Sequence, residues 1–280
     1  MKKIILSTLL VFALGACAKG APREKPLVVA SFYPLAHFAE QIVGDKMEVV
    51  SIIEAGSEPH AFEPSPSDVA KISQADLLVY NGAGLDFWAE KLSKKLDHKL
   101  KMADQVDLIG ENAKDPHIWL SIKNAEIEVE KIAQKVMEID PENKAFYQEN
   151  LENYMQKLQN LDQKYQDELR DCELDLIITS HEAFAYLARD YGFEQIGVKG
   201  VFAENEPSIK DLEKISNLIK DREIKYIFAE ELVSPKISET LAQDYNLEVL
   251  VLNPLPNFER GYLETMEENL ANLKKGVLCQ

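Results

Sequence analysis

Histidine and cysteine are scarce in this chain: there are five of the first and three of the second among 280 residues. No Cys-x-x-Cys pair and no His-Glu-x-x-His run occurs. Their absence excludes the common cysteine-held zinc sites and the helical metalloprotease signature. Positive charge is short as well. Lys and Arg number 31 against 48 Asp and Glu, for a formal net charge of −17. Such a surface has little with which to displace the counterions of a phosphate backbone, so nucleic acid is excluded as a partner. Past the first residues no apolar run approaches the roughly 18 needed to span a bilayer. Low-complexity stretches are lacking, and so is any His-rich or acidic loop between the first apolar segments and the "DPHIWL" of 115–120.

What is there begins with a leader. Lys2 and Lys3 supply a positive end, and Ile4 to Leu14 form an apolar segment too short to cross a membrane comfortably. The following "LGAC", Leu14 to Cys17, resembles a bacterial lipobox. The resemblance implies a signal peptide over 1–16, cleavage before Cys17, a lipid on Cys17 and a polar tether over 17–26. An ordinary signal peptide and a retained anchor are the alternatives. Ala18, not Asp, follows Cys17, so nothing suggests an inner-membrane retention signal. The mature chain, about 264 residues, is long enough for one large or two medium domains. Cys172 and Cys279 then remain. In an exported protein two leftover thiols tend to pair, so a bridge is expected, with two inert thiols as the alternative.

From Lys25 the pattern is strand then helix, repeatedly. "LVVAS" (27–31), "MEVVSII" (47–53) and "DLLVYN" (76–81) are apolar and β-rich, and each precedes a helical pattern. Near-continuous apolar strands suit a parallel sheet covered on both faces. "LDFWAEKLSKKL" is expected to be a helix, and "KKLDHKLK" a solvated charged run. The period changes over 141–171. Tyr147, Leu151, Tyr154, Leu158, Leu161, Tyr165 and Leu169 recur at helical spacing without an internal Pro or Gly. Pro141 fits the first helical position with Asp140 as the cap, and about 29 helical residues would span about 43 Å. A coiled-coil dimer would show a similar stripe, but βα patterns flank this one on both sides. It therefore reads as a helix lying along two lobes. The rhythm resumes with "DLIITS" (175–180), and "HEAFAYLARDYG" reads as a helix from His181 to Gly192. The expected fold is α/β, with an N-terminal lobe over 27–140, a linking helix over 141–171 and a C-terminal lobe over 172–280.

Three of the five histidines sit in comparable places. His60 lies after the second strand, His117 before a helix of the same lobe, and His181 where the first strand of the second lobe ends. Ligands of open α/β sheets bind at the carboxyl ends of strands, so these imidazoles should converge between the lobes. Convergent neutral imidazoles suit a borderline cation such as zinc. His37 on an amphipathic helix and His98 in the charged run carry no such expectation.

The segments "SFYP", "GSEPHAFEPSPSD", "LLVYNGAGLDFW", "DPHIWL", "ITSHEAFAYLARDYG", "ENEPS", "YIFAEELVSPK" and "VLNPL" together resemble the zinc/manganese-binding lipoproteins that serve ABC importers. The resemblance covers nearly the whole mature chain. It implies two Rossmann-like lobes joined by a rigid helix and one metal site between them, with His60, His117 and His181 as ligands. It further implies Zn²⁺ in preference to Mn²⁺, because manganese members tend to carry Glu at the position of His181. A membrane permease is the implied partner. The expected place of work is the extracytoplasmic face of the cell membrane, periplasmic or cell-surface, with the chain lipid-anchored, monomeric and not an enzyme. Glu63 and Glu230 are expected to orient histidines or backbone. The chain departs from the family in "LNPLPNFERGY", where Asn253 and Pro256 stand in place of a carboxylate ligand. Glu259, the amide oxygen of Asn253 or a water is expected in the fourth position. Ser121 and Ile122 replace an Asp-Pro, and Ser121 can still cap the next helix. A surface adhesin with a bound metal and a zinc hydrolase are the competing functions. The hydrolase lacks a general base placed by any motif.

Overall fold

The computed structural model describes residues 24–111, 114–201, 207–231, 234–255 and 260–279. The expected leader, Cys17, Pro256 and Glu259 lie outside the described residues.

The first lobe runs β1 (Leu27–Phe32), α1 (Tyr33–Val43), β2 (Glu48–Ile53), α2 (Pro66–Ile72), β3 (Leu77–Tyr80), α3 (Phe87–Ser93), β4 (Lys99–Lys101) and α4 (Ile122–Ile139). Its strands are parallel in the order β2-β1-β3-β4, with Leu27 opposite Glu48 and Val28 opposite Leu77. All six residues of β1 are buried, which explains why its sequence is apolar without alternation. A helix, α5 (Lys144–Glu168), leads to the second lobe. There follow β5 (Leu176–Thr179), α6 (Ala185–Tyr191), β6 (Glu194–Gly197), α7 (Ile209–Asp221), β7 (Tyr226–Ala229), α8 (Lys236–Tyr245), β8 (Glu248–Val251) and α9 (Tyr262–Gly276). Its parallel order, β6-β5-β7-β8, repeats the first lobe's. Ser65 and Ser208 each close a capping box with the Asp three residues on, which sets where α2 and α7 begin. Ser121 Oγ accepts from the Asn124 amide at 3.1 Å, so the serine does cap α4.

The apolar stripe of α5 is spent on both lobes. Tyr147, Tyr154, Leu158, Leu161 and Tyr165 are buried along it. Asn150 Nδ2 donates to the Ile42 carbonyl in the first lobe at 2.9 Å, and Tyr165 OH donates to the Met266 carbonyl in the second at 2.7 Å. The largest apolar cluster is therefore continuous from β1 through Tyr165 to Phe184 and Leu273. A smaller one, with Leu176, Ile178 and Ile215, fills the other face of the second sheet. A shared core of this kind resists wide opening of the lobes. Cys172 and Cys279 are joined as a disulfide, tying the end of α9 to the chain entering β5.

Four details differ from expectation. Lys99–Lys101 of the charged run forms an edge strand, pairing with β3 through Leu78, Val79 and Tyr80. The third helix is shorter, Phe87–Ser93. The linking helix starts with a 3-10 turn over Pro141–Asn143. As expected, Asp140 is the N-cap of that turn and Pro141 its first residue; the Asp140 carboxylate also accepts from Asn143 Nδ2 and Tyr147 OH, both at 2.7 Å. Its 25 α-helical residues give about 37 Å. Finally, α6 starts at Ala185, not at His181. The amide of His181 is taken by Glu230 and its carbonyl by Thr179 Oγ1 (2.6 Å) and Gln195 Nε2 (3.0 Å). That backbone is occupied in presenting the imidazole and cannot enter the helix.

Candidate metal centre

His60 follows β2, His117 enters the short 3-10 turn Ile118–Leu120, and His181 follows β5. Their ring nitrogens converge, one from each residue, within 4.8 Å of one another. His117 Nε2 stands 3.2 Å from His60 Nε2 and 3.2 Å from His181 Nε2. His117 and His181 are buried, and His60 is partly so. The small cavity at this point is lined also by Glu58, Pro59, Trp119, Pro254 and Leu255, from both lobes.

Carboxylates fix two of the imidazoles. Asp115 Oδ1 accepts from His117 Nδ1 at 2.7 Å and from the His117 amide at 2.9 Å. Glu230 Oε1 does the same for His181, at 2.7 and 3.2 Å. A carboxylate only accepts, so the ring proton of each histidine sits on Nδ1. Both Nε2 lone pairs then point at each other across 3.2 Å. Two lone pairs so placed repel unless a cation lies between them. Ligands about 2.0–2.1 Å from a tetrahedral zinc stand about 3.3–3.4 Å apart, and the observed separations match that spacing. The two carboxylates also balance a dication that neutral imidazoles alone would leave uncompensated. His60 is held deprotonated: burial first, then the neighbouring His117 and His181, push its pKa down to about 3. Only the neutral ring donates to a metal.

The other expected residues fall differently. Glu230 is buried and orients His181. Glu63 is exposed and has no hydrogen bond to a histidine among the described residues. The role foreseen for it belongs to Asp115, which the sequence places two residues before His117, as the first letter of "DPHIWL". Asn253 is buried, but its amide oxygen accepts from the Glu231 amide at 3.3 Å and so is turned to the backbone, not to the cluster. Glu58 was not anticipated. It lines the cavity with Oε1 4.0 Å from His60 Nε2, and it accepts from the His60 amide at 3.1 Å. His98 is exposed, and His37 packs against the rings of Tyr33, Phe38 and Tyr154, away from the cluster. Trp119 belongs to both lobes: its indole packs edge-on to Phe32 and donates to the Pro254 carbonyl at 2.6 Å.

Two parallel α/β lobes on a linking helix, enclosing a histidine cluster at the strand ends, define a solute-binding protein of the metal-binding kind. Comparison with known proteins gives the family. Residues 28–276 match the model of ZnuA, zinc-uptake complex component A periplasmic, and the chain belongs to that family. It is 35% identical to the high-affinity zinc uptake system protein ZnuA of Bacillus subtilis over 97% of this chain and 95% of that protein. It is 34% identical to the zinc-binding lipoprotein AdcA of Streptococcus pneumoniae over 98% of this chain, which spans 61% of that longer protein. Among solved structures it is similar to the laminin-binding protein Lmb of Streptococcus agalactiae, described as bifunctional with adhesin and metal-transporting activity. The TM-score is 0.85 at 33% identity, covering 90% of this chain and 99% of that one.

Proposed function

We propose that this protein captures one Zn²⁺ outside the cytoplasm and delivers it to the permease of an ABC importer. His60, His117 and His181 hold the ion through Nε2, while Asp115 and Glu230 fix the tautomer of the last two. The observation that carries this reading is the 3.2 Å approach of two Nε2 atoms whose Nδ1 protons are both committed to carboxylates. Three nitrogen donors favour zinc over the harder manganese ion, which prefers more oxygen ligands. The zinc-uptake names of the Bacillus and Streptococcus relatives support the same metal. Glu259 or a water completes the coordination. Cys17 carries the lipid that keeps the chain at the extracytoplasmic face of the membrane, as the lipoprotein name of the Streptococcus relative suggests. Among the described residues no helix is long and apolar enough to cross a membrane. The chain acts as a monomer and binds its ion without transforming a substrate, in keeping with a transport family. Likeness to a protein described as both adhesin and metal transporter favours surface attachment as a second role. The test is the metal content of purified protein, followed by competition between Zn²⁺ and Mn²⁺ for the demetallated chain. One tightly held zinc per chain is the expected result; a chain that keeps manganese against equimolar zinc would reject the metal assignment.

A further inference from the structure

The loop bearing His117 is held by both lobes. Two of its carbonyls are bound from the first lobe: Asn81 Nδ2 donates to Pro116 at 2.8 Å, and Asn124 Nδ2 to Ile118 at 3.2 Å. Two are bound from the second: Tyr186 OH donates to the Asp115 carbonyl at 2.7 Å, and Tyr262 OH to the Trp119 carbonyl at 2.8 Å. Tyr186 does more than that. Its oxygen also accepts from the Ile109 amide at 3.1 Å, while the Asp115 amide donates to the Ile109 carbonyl at 2.9 Å. Tyr186, Ile109 and Asp115 thus form a closed ring of three hydrogen bonds. The phenol is fully buried on α6, the helix that follows His181. Burial raises its pKa to about 12, so it stays a donor at working pH.

We infer that Tyr186 is a positioning residue for the metal site: it fixes the backbone of Asp115, whose carboxylate aims His117, to the helix behind His181. Its hydroxyl touches no metal ligand. Through it the second lobe bears on the orientation of a first-lobe histidine, by way of the carboxylate that aims that imidazole. Without it the Ile109 amide and the Asp115 carbonyl lose their shared partner, and the Asp115 carboxylate can drift from His117 Nδ1. Residues that orient a metal-bound histidine typically change affinity by about 10–100-fold. Tyr186 acts one bond further out, and about tenfold is expected.

The inference rests on His117 being a zinc ligand, and the experiment separates the two claims. Zn²⁺ is titrated against a chromophoric chelator on the full chain and on Tyr186→Phe, Asp115→Asn, the double variant, Tyr186→Phe with Glu230→Gln, and His117→Ala. Tyr186→Phe should bind zinc about tenfold more weakly while the apo protein still melts cooperatively. Adding it to Asp115→Asn should cost little more than Asp115→Asn alone, because the tyrosine acts through that carboxylate. Adding it to Glu230→Gln should multiply the two effects, because that carboxylate serves the other histidine. A second measurement needs no substitution: zinc should slow hydrogen exchange at the Ile109 amide of the unaltered chain. Wild-type affinity in Tyr186→Phe, full multiplication with Asp115→Asn, or an Ile109 amide indifferent to zinc would each overturn the inference. If instead His117→Ala keeps wild-type affinity, the ligand assignment itself is at fault.

Discussion

Replacing Glu128 by Gln should make the protein more stable at neutral and alkaline pH. Glu128 sits in the middle of α4, fully buried, and neither carboxyl oxygen has a hydrogen-bond partner among the described residues. Burial pushes its pKa from 4.5 to about 8. The unfolded chain gives up this proton near pH 4.5, whereas the folded chain keeps it until about pH 8. The unfolded state thus binds fewer protons in between, and stability falls as pH rises through that window. One pKa unit corresponds to about 1.4 kcal/mol, so the cost is about 3 kcal/mol at pH 7 and about 5 kcal/mol above pH 8. Glu128→Gln keeps the shape of the protonated acid and cannot ionise, so it escapes this cost. Urea unfolding of both proteins at pH 5, 7 and 8.5 measures the difference. The two curves should nearly coincide at pH 5 and separate steadily above it, with the variant more stable. A constant gap across the three pH values, or a variant less stable at pH 8.5, would refute the reasoning.

Other expectations are shorter. The Cys172–Cys279 bridge spans 107 positions, and in the chain-entropy model opening it costs about 4–5 kcal/mol; a double Cys→Ser variant should melt at lower temperature, and unchanged melting would argue against the bridge. Trp119→Ala removes a buried indole and its bond to Pro254, so a loss of about 3–5 kcal/mol is expected by denaturant unfolding. His181→Glu exchanges a nitrogen donor for a hard oxygen and should move preference from zinc toward manganese in paired titrations.

Much of this arrangement was written locally in the sequence. The apolar runs of β1 and β5, the Ser65 and Ser208 caps and the stripe of α5 each follow from residues that neighbour one another along the chain or on one helix face. The three histidines were legible for a related reason, since each sits where a strand or its following loop ends. What escaped depends on partners distant in sequence. β4 is three residues long with lysines at both ends, and only pairing with β3 makes it a strand. Asp115 stands two residues before His117, but nothing local shows that its carboxylate turns back on that ring. Tyr186 carries no mark of its own in the sequence; its role exists only once α6 is docked on the first lobe. The shortened start of α6 has the same origin, as Glu230 takes the His181 amide from 49 positions away.

The central claim, that three imidazoles form the zinc site, is tested most directly by a zinc titration with a competing chelator on five single variants. His60→Ala, His117→Ala and His181→Ala should each weaken binding by roughly a hundredfold or more, beyond what loss of an orienting group would do. His37→Ala and His98→Ala, which remove imidazoles lying outside the cluster, should bind as the unaltered chain does. Site variants that keep full affinity, or controls that lose zinc as badly as they do, would contradict the account.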